Sequence, residues 1–204
     1  LLLSERSGWK HVYHFDKDGK LKKQVTDGDW EVSALHLIDQ DAGWVYVSGT
    51  RDSATASNLY RAKLDGSGIE RLTNGGADHR VSVAPKAKLF LDTYSDAQTP
   101  PRVRVCRADG SPARVVDTNP VHILDDYRLG TYERSRIKTP DGFEIEASVL
   151  KPANFDPTKK YPVWFMTYAG PHAPTVRDGW GVQRIHDEML VNMGFIVFLS
   201  LIHI

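Results

Sequence analysis

Along residues 1–116, apolar and polar positions alternate in short runs, each broken by a turn. Three of these runs, Val12-Tyr13-His14-Phe15, Leu59-Tyr60-Arg61-Ala62 and Val103-Arg104-Val105-Cys106, are followed by Asp18-Gly19, Asp65-Gly66 and Asp109-Gly110. A period of two puts successive side chains on opposite faces and predicts half-buried strands. Asp-Gly between such strands predicts hairpins whose two central residues both take positive φ. The Asp-Gly pairs stand 47 and 44 residues apart, Tyr13 and Tyr60 are 47 apart, and so are Thr26-Asp27-Gly28 and Thr73-Asn74-Gly75. Further strand-like runs at Val32 to Ile38, Trp44 to Ser48 and Leu89 to Thr93 fill the intervals. Four short strands per repeat of this length is a β-propeller blade, whereas a β-sandwich would not repeat so regularly. Closed propellers have roughly four to eight blades, and residues 1–116 have room for about two to three. The expectation is a partial propeller, its C-terminal blades, in a chain cut from a longer one.

Residues 117–131 hold Asn119-Pro120 and Asp125-Asp126 with no sustained period, so they are expected to be a linker with at most a helical turn. From 132 the pattern changes. Tyr132 to Thr139 and Phe143 to Leu150 alternate around Asp141-Gly142, which predicts another hairpin. Lys151 to Thr158, with Pro152 and Pro157, predicts a loop. Tyr161 to Thr167 is a continuous apolar run that predicts a buried strand. Val182, Ile185, Met189, Leu190 and Met193 recur at helical spacing, Gly194 supplies a stop, and Phe195 to Phe198 predicts a second apolar strand. Strand, Gly-Pro loop, helix and strand make a βαβ unit and hence a parallel sheet, whose ligands bind at the carboxyl ends of strands. Tyr168 is placed at such an end.

Composition adds exclusions. Hydrophobic residues at 41% and charged residues at 25% describe an ordinary globular chain, and 26 basic against 26 acidic side chains leave no net charge to favour nucleic acid. Cys106 is the single cysteine and cannot form an internal disulfide. No apolar run approaches the roughly 20 residues of a membrane span. Leu1-Leu2-Leu3 has neither a starting Met nor a basic leader, so it is expected to be the cut end of a strand.

Lys159-Lys160-Tyr161-Pro162 before the apolar strand and Tyr168-Ala169-Gly170-Pro171 after it, with Ser4-Glu5-Arg6-Ser7-Gly8-Trp9 and Gly28-Asp29-Trp30-Glu31, give the chain a resemblance to a known family. From about Leu1 to Phe198 it resembles the prolyl oligopeptidase family of serine peptidases, in its dipeptidyl peptidase IV branch. The resemblance implies a β-propeller over 1–116, a linker over 117–131, and the N-terminal part of an α/β-hydrolase domain over 132–198. It implies a serine exopeptidase releasing N-terminal dipeptides, with Pro or Ala favoured in the second position. Tyr168 would donate its hydroxyl to the oxyanion of the acyl-transfer intermediate. It further implies peptide substrates, no cofactor or metal, and a homodimer of the full-length protein as an option; it leaves the location open while favouring the periplasm or the extracellular space.

No Gly-x-Ser-x-Gly occurs in the chain, and the family's Ser, Asp and His would all follow Phe198. The 204-residue chain is therefore expected to be inactive. After Phe198 the family continues with Asp-x-Arg-Gly-x-Gly, whereas here Leu199-Ser200-Leu201-Ile202-His203-Ile204 follows. Those six residues are encoded by CTG TCT CTT ATA CAC ATC, which resembles a transposon end used as a sequencing adapter. Residues 199–204 are accordingly expected to be non-native.

The same branch includes members that keep the fold without the nucleophile and serve as binding subunits, and other branches cleave inside oligopeptides or release acylated residues. Both alternatives stay open at this point. Among other candidates, His11 and His14 lie three apart on an alternating strand, face opposite ways and do not suggest a shared metal. His172 is expected to be a loop residue, Asp125-Asp126 a solvated pair, Trp30 a core residue, and Gly66-Ser67-Gly68 a turn rather than a phosphate cradle.

Overall fold

In the computed structural model of the chain, residues 1–74, 76–168, 176–181 and 183–201 are described, with backbone alone at Tyr168, Gln183, Arg184 and Leu201. They form two compact units. Unit 1 comprises Leu1–Asp96 and Pro101–Asn119, and unit 2 comprises Ala97–Pro100 and Pro120–Ile204. The division at 119/120 lies within the expected linker 117–131, whose chain carries a single 3-10 turn at His122–Asp126.

Unit 1 is a series of antiparallel meanders. The first sheet is β1 (Leu2–Ser4), β2 (His11–Phe15) and β3 (Leu21–Gln24). The second is β4 (Val32–Asp39), β5 (Trp44–Gly49), β6 (Asn58–Lys63) and β7 (Ile69–Arg71). The third is β8 (Asp78–Val83), β9 (Leu89–Ser95), β10 (Arg102–Arg107) and β11 (Pro112–Asp117). Within each sheet, strands adjacent in sequence are adjacent in space. Apolar side chains from the alternating positions pack between sheets. Val12, Val25 and Trp30 meet Val45, Val47 and Tyr60, while Tyr46, Leu59 and Leu72 meet Phe90 and Cys106.

The hairpins differ from expectation in their turns. Only the glycines take positive φ, at Gly19, Gly66 and Gly110, and the preceding aspartates do not. At 16–20 the Gly19 N–H donates to the Asp16 carbonyl (3.2 Å), and the Asp16 N–H donates to the Lys20 carbonyl (2.9 Å). The same pair of bonds joins Gly110 to Arg107 (2.9 Å) and Arg107 to Ser111 (2.8 Å). These are three-residue loops, a type I turn followed by a left-handed residue, and only that last position demands glycine. The aspartates act instead through their side chains: Asp65 and Asp109 accept the N–H groups of Ser67 and Ser111, each at 2.9 Å.

The 47-residue repeat also has a physical basis. The Thr26 hydroxyl accepts the Val12 N–H (3.0 Å) and lies 3.1 Å from Nδ1 of His11, whose Nε2 is 2.9 Å from the Gly28 carbonyl. One repeat later, the Thr73 hydroxyl accepts the Leu59 N–H (3.1 Å) and donates to Asn58 Oδ1 (3.0 Å). In both blades one threonine hydroxyl closes the last rung of a hairpin and satisfies a fully buried polar side chain, His11 or Asn58. Trp30 stands edge-on to His11 at 5.2 Å, with its Nε1–H donating to the Asp27 carbonyl.

The third sheet is locked differently. Asp92 on β9 is fully buried between Nδ1 of His79 on β8 (2.9 Å) and the guanidinium of Arg104 on β10 (3.0 Å). The Tyr94 ring stacks on His79 at 5.9 Å and carries Arg104 over its face at 4.5 Å.

Unit 2 holds β12 (Thr131–Lys138), β13 (Glu144–Lys151), β14 (Val163–Tyr168), α1 (Gln183–Asn192) and β15 (Ile196–Leu201), in the sheet order β12-β13-β15-β14. The β12/β13 hairpin is antiparallel, and β14 and β15 are parallel with Tyr168 beside Leu201. The expected βαβ unit is thus formed. Two details of burial differ from expectation. Leu190 and Val191 are the inward residues of α1, packing on Leu150 and Val197, whereas Ile185, Met189 and Met193 are exposed. On β14, Val163, Trp164 and Phe165 are exposed. The reason is position: β14 is the last strand in the sheet order, and α1 reaches only the interior of the sheet through Leu190 and Val191. Residues 199–201 continue β15 in register with β13 and β14.

Removing the central carboxylate of the third sheet strands two basic groups around an uncompensated site. Asp92→Ala is expected to destabilise unit 1 by about 3–5 kcal/mol. Urea unfolding followed by Trp fluorescence measures this, and a loss under about 1 kcal/mol would mean that Asp92 is not the lock.

Candidate functional site

Tyr168 is the last residue of β14, at the carboxyl end of a parallel strand pair. Its row is fixed by the sheet, because β14 runs in register with β15 from Val163 opposite Ile196 to Tyr168 opposite Leu201. Ala169-Gly170-Pro171 and His172 lie outside the described residues. The chain is described again at Val176, which is 1% exposed, and Asp178, which is 4% exposed.

Asp178 is a buried carboxylate and needs partners. Oδ2 is 2.9 Å from the guanidinium of Arg134 on β12, and Oδ1 accepts the Ala97 N–H at 3.4 Å. A second buried carboxylate, Glu188 on α1, accepts the Gly130 N–H at 2.6 Å and ties the start of β12 to the helix. The sequence pattern missed both acids. Nothing in the local period of Arg177-Asp178-Gly179 distinguishes a buried ion pair from a solvated turn, and Arg134 is 44 residues earlier on a strand of mixed polarity.

The remaining sequence candidates are structural. His11 is buried against Thr26 and Gly28, with no acidic neighbour among its bonds. Asp125 and Asp126 are exposed, Trp30 is 5% exposed, and Gly66 sits in a turn at φ +72°. Cys106 is buried, and burial raises its thiol pKa above the ordinary value. Among the described residues no group of three or more His, Cys, Asp or Glu side chains converges as for a metal ion, and no helix is long and apolar enough to cross a membrane.

Two features define the class: consecutive four-stranded antiparallel meanders at a repeat of about 45 residues, and a following mixed sheet with a crossover helix. This is a propeller-type protein. Residues 1–101 match the family described as the dipeptidyl peptidase IV (DPP IV) N-terminal region. Dipeptidyl peptidase 4 of Arthroderma otae is 30% identical over 183 residues, which cover 87% of this chain and 24% of that protein. A probable dipeptidyl peptidase 4 of Emericella nidulans is 31% identical over 182 residues, with the same coverage. The crystal structure of Porphyromonas gingivalis dipeptidyl peptidase 4 superposes with a TM-score of 0.87 at 28% identity, covering 97% of this chain and 28% of that one. A putative dipeptidyl aminopeptidase IV from Bacteroides ovatus gives 0.83 at 25% identity, covering 97% of this chain and 31% of that one. The chain belongs to the dipeptidyl peptidase IV family. It spans about a quarter of the length of the curated relatives it matches.

One titration follows from the geometry of unit 1. His36 on β4 is half-buried with Nε2 2.7 Å from the Ser48 hydroxyl, and burial lowers its pKa below the ordinary histidine value. The unfolded chain takes up that proton at about pH 6.5, so below that pH it binds more protons than the fold does and stability falls. In His36→Asn the fall between about pH 7 and pH 5 is expected to be shallower. Urea midpoints across that range test it, and identical slopes would show that His36 does not titrate differently on folding.

Proposed function

We propose that the full-length protein is a serine-type dipeptidyl peptidase that releases N-terminal dipeptides, with Pro or Ala favoured in the second position. In this proposal residues 132–198 begin its α/β-hydrolase domain, and Tyr168 donates a hydrogen bond to the oxyanion. The observation that carries it is the place of Tyr168 at the carboxyl end of a parallel strand, where open α/β sheets bind ligands. An antiparallel hairpin ahead of the parallel pair supports it, as does the outer side of β14, which pairs with no strand among the described residues. Val163 and Phe165 on one face of that strand and Trp164 on the other are exposed, which fits a sheet that continues past β14. The family's relatives named as dipeptidyl peptidases supply the substrate class.

In the proposed mechanism, a serine beyond this chain attacks the carbonyl of the second residue, a histidine takes its proton and passes it to the leaving amine, and an aspartate orients that histidine. Negative charge then builds on the carbonyl oxygen. A hydroxyl held at a strand end is preorganised to meet that charge and costs no reorganisation when the charge appears. Water completes the cycle by hydrolysing the acyl-enzyme. Propeller and sheet here supply position and charge stabilisation, and no cofactor enters.

Tyr168→Phe in the full-length protein is expected to lower kcat on an Ala-Pro or Gly-Pro chromogenic amide by roughly 10²- to 10³-fold, with KM changed little. Steady-state kinetics on both proteins tests it. Unchanged kcat would remove Tyr168 from the mechanism, and absence of amidase activity in the unmodified protein would favour a binding homologue that has lost its nucleophile.

A further inference from the structure

The chain carries six Asp-Gly pairs, and the dipeptide has a chemistry of its own. The peptide nitrogen that follows an aspartate can attack the side-chain carboxyl carbon, and glycine, with no Cβ, hinders that approach least. In a folded chain the outcome depends on whether the carboxyl and the glycine nitrogen are held by other bonds. The six pairs differ in this.

Four lie in hairpin turns in which the glycine takes positive φ and its N–H donates to the carbonyl three residues earlier. In three of these the carboxylate is engaged. Asp65 accepts the Ser67 N–H at 2.9 Å, Asp109 accepts the Ser111 N–H at 2.9 Å and its hydroxyl at 2.6 Å, and Asp141 accepts the Thr139 hydroxyl. The serine bonds hold the Asp65 and Asp109 carboxyls below the ordinary carboxylate pKa, so the protonated acid, the form that loses water, is scarcer there. The glycine nitrogens are held too, at 2.8 Å for Gly66 and 2.9 Å for Gly110 and Gly142. Two of the turns also lack room: a Cβ on Gly66 would stand 2.8 Å from the Lys23 side chain, and one on Gly110 would stand 2.3 Å from the Leu72 carbonyl oxygen.

The pair Asp18-Gly19 has none of these restraints. Asp16 caps that turn instead, its Oδ1 accepting the N–H groups of Asp18 (3.0 Å) and Lys20 (2.9 Å), and the Asp18 carboxylate has no hydrogen bond or ion pair among the described residues. The Gly19 N–H bond to the Asp16 carbonyl is the longest of the four at 3.2 Å, at the outer end of the range for such bonds. Both residues are exposed, and nothing lies within 4 Å of where a Gly19 Cβ would stand. The last two pairs are clamped in other ways. Asp178 is buried on Arg134. Asp27 is exposed, but its carbonyl accepts the Trp30 Nε1–H at 2.6 Å and the Gly28 carbonyl lies 2.9 Å from Nε2 of His11, so the backbone is held on either side of the Gly28 nitrogen.

We propose that Asp18 is a modification site, the Asp-Gly pair of this chain that isomerises first to isoaspartate in the folded protein. The Gly19 nitrogen forms a bond to Cγ of Asp18 and gives up its proton, and the carboxyl hydroxyl leaves with a proton as water, closing a succinimide. Water then adds to the α-carbonyl of the ring and breaks its bond to nitrogen, so the chain runs on through Cγ. Composition is unchanged and no oxidant is needed. The product has one more backbone carbon in a loop whose length sets the register of β2 with β3.

The test ages the full-length protein, folded, in mildly acidic buffer at body temperature over several weeks. Isoaspartate is measured by methyl transfer from an isoaspartyl methyltransferase and placed by chymotryptic peptide mapping. Deamidation at Asn74-Gly75 changes peptide mass, whereas aspartate isomerisation does not, so the two are read apart. The Asp18 peptide is expected to gain isoaspartate roughly fivefold or more faster than the Asp27, Asp65, Asp109 and Asp141 peptides, the rate equivalent of one hydrogen bond. In urea-unfolded protein the peptides are expected to converge on one rate. Lys20→Ser supplies the hydroxyl that Ser111 gives Asp109 and is expected to slow Asp18. A faster rate at any other Asp-Gly pair, the same ranking in the unfolded chain, or an unchanged Asp18 rate in Lys20→Ser overturns the proposal.

Discussion

Unit 1 depends on how buried polar groups at the hairpin rungs are satisfied. A propeller-type blade packs both faces of its sheet, so a polar side chain on an interior strand has nowhere to reach water. His11 and Asn58 are such side chains, and a threonine about 15 residues later in each blade satisfies them while also accepting a backbone N–H. Leaving either group unpaired would cost about 1–3 kcal/mol, a large share of a domain's net stability. The spacing of Thr26 and Thr73 is therefore dictated by the hairpin, and the hairpin by glycine at its left-handed position. In the third sheet the buried carboxylate of Asp92 is satisfied instead by Nδ1 of His79 and the guanidinium of Arg104.

Unit 2 turns on one comparable requirement. Its sheet changes from antiparallel to parallel at β15, the only strand among the described residues that borders both kinds of neighbour. That change sets β14 parallel to β15, and the helix α1 lies between the two strands in the chain. Buried carboxylates flank the crossing, Asp178 before the helix and Glu188 within it, each satisfied by a group from β12 or the residue preceding it. Charge here defines positions, while apolar packing of Leu190 and Val191 supplies adhesion.

Much of this was legible in the chain itself. The period of two, the Asp-Gly pairs and the 47-residue spacing were enough to place the hairpins of unit 1, because alternation and turn chemistry are local signals. The turn type was not legible: Asp-Gly fits both a two-residue primed turn and the last two residues of a three-residue loop, and loop length decides between them. The inward face of α1 was misjudged for a related reason. Ile185, Met189 and Met193 make as good a helical stripe as any, but the helix covers the sheet through the neighbouring stripe, with Leu190 and Val191. The Asp178–Arg134 pair and the His79–Asp92–Arg104 group bring together residues from separate elements, and no periodicity signals a partner chosen by tertiary structure. Tyr168 could be placed at a strand end from the Ala-Gly-Pro that follows it, but its chemistry came from family resemblance alone.

The central proposal is that the full-length protein carries, beyond its propeller-type region, the catalytic domain of a serine dipeptidyl peptidase. The most direct measurement is the DNA sequence of the source gene across codon 198, read without transposon-derived adapters. The account predicts that the frame continues after Phe198 into Asp-x-Arg-Gly and later Gly-x-Ser-x-Gly, with Asp and His behind it. A gene that truly encodes Leu-Ser-Leu-Ile-His-Ile after Phe198, or an elbow in which the serine is replaced, would contradict it.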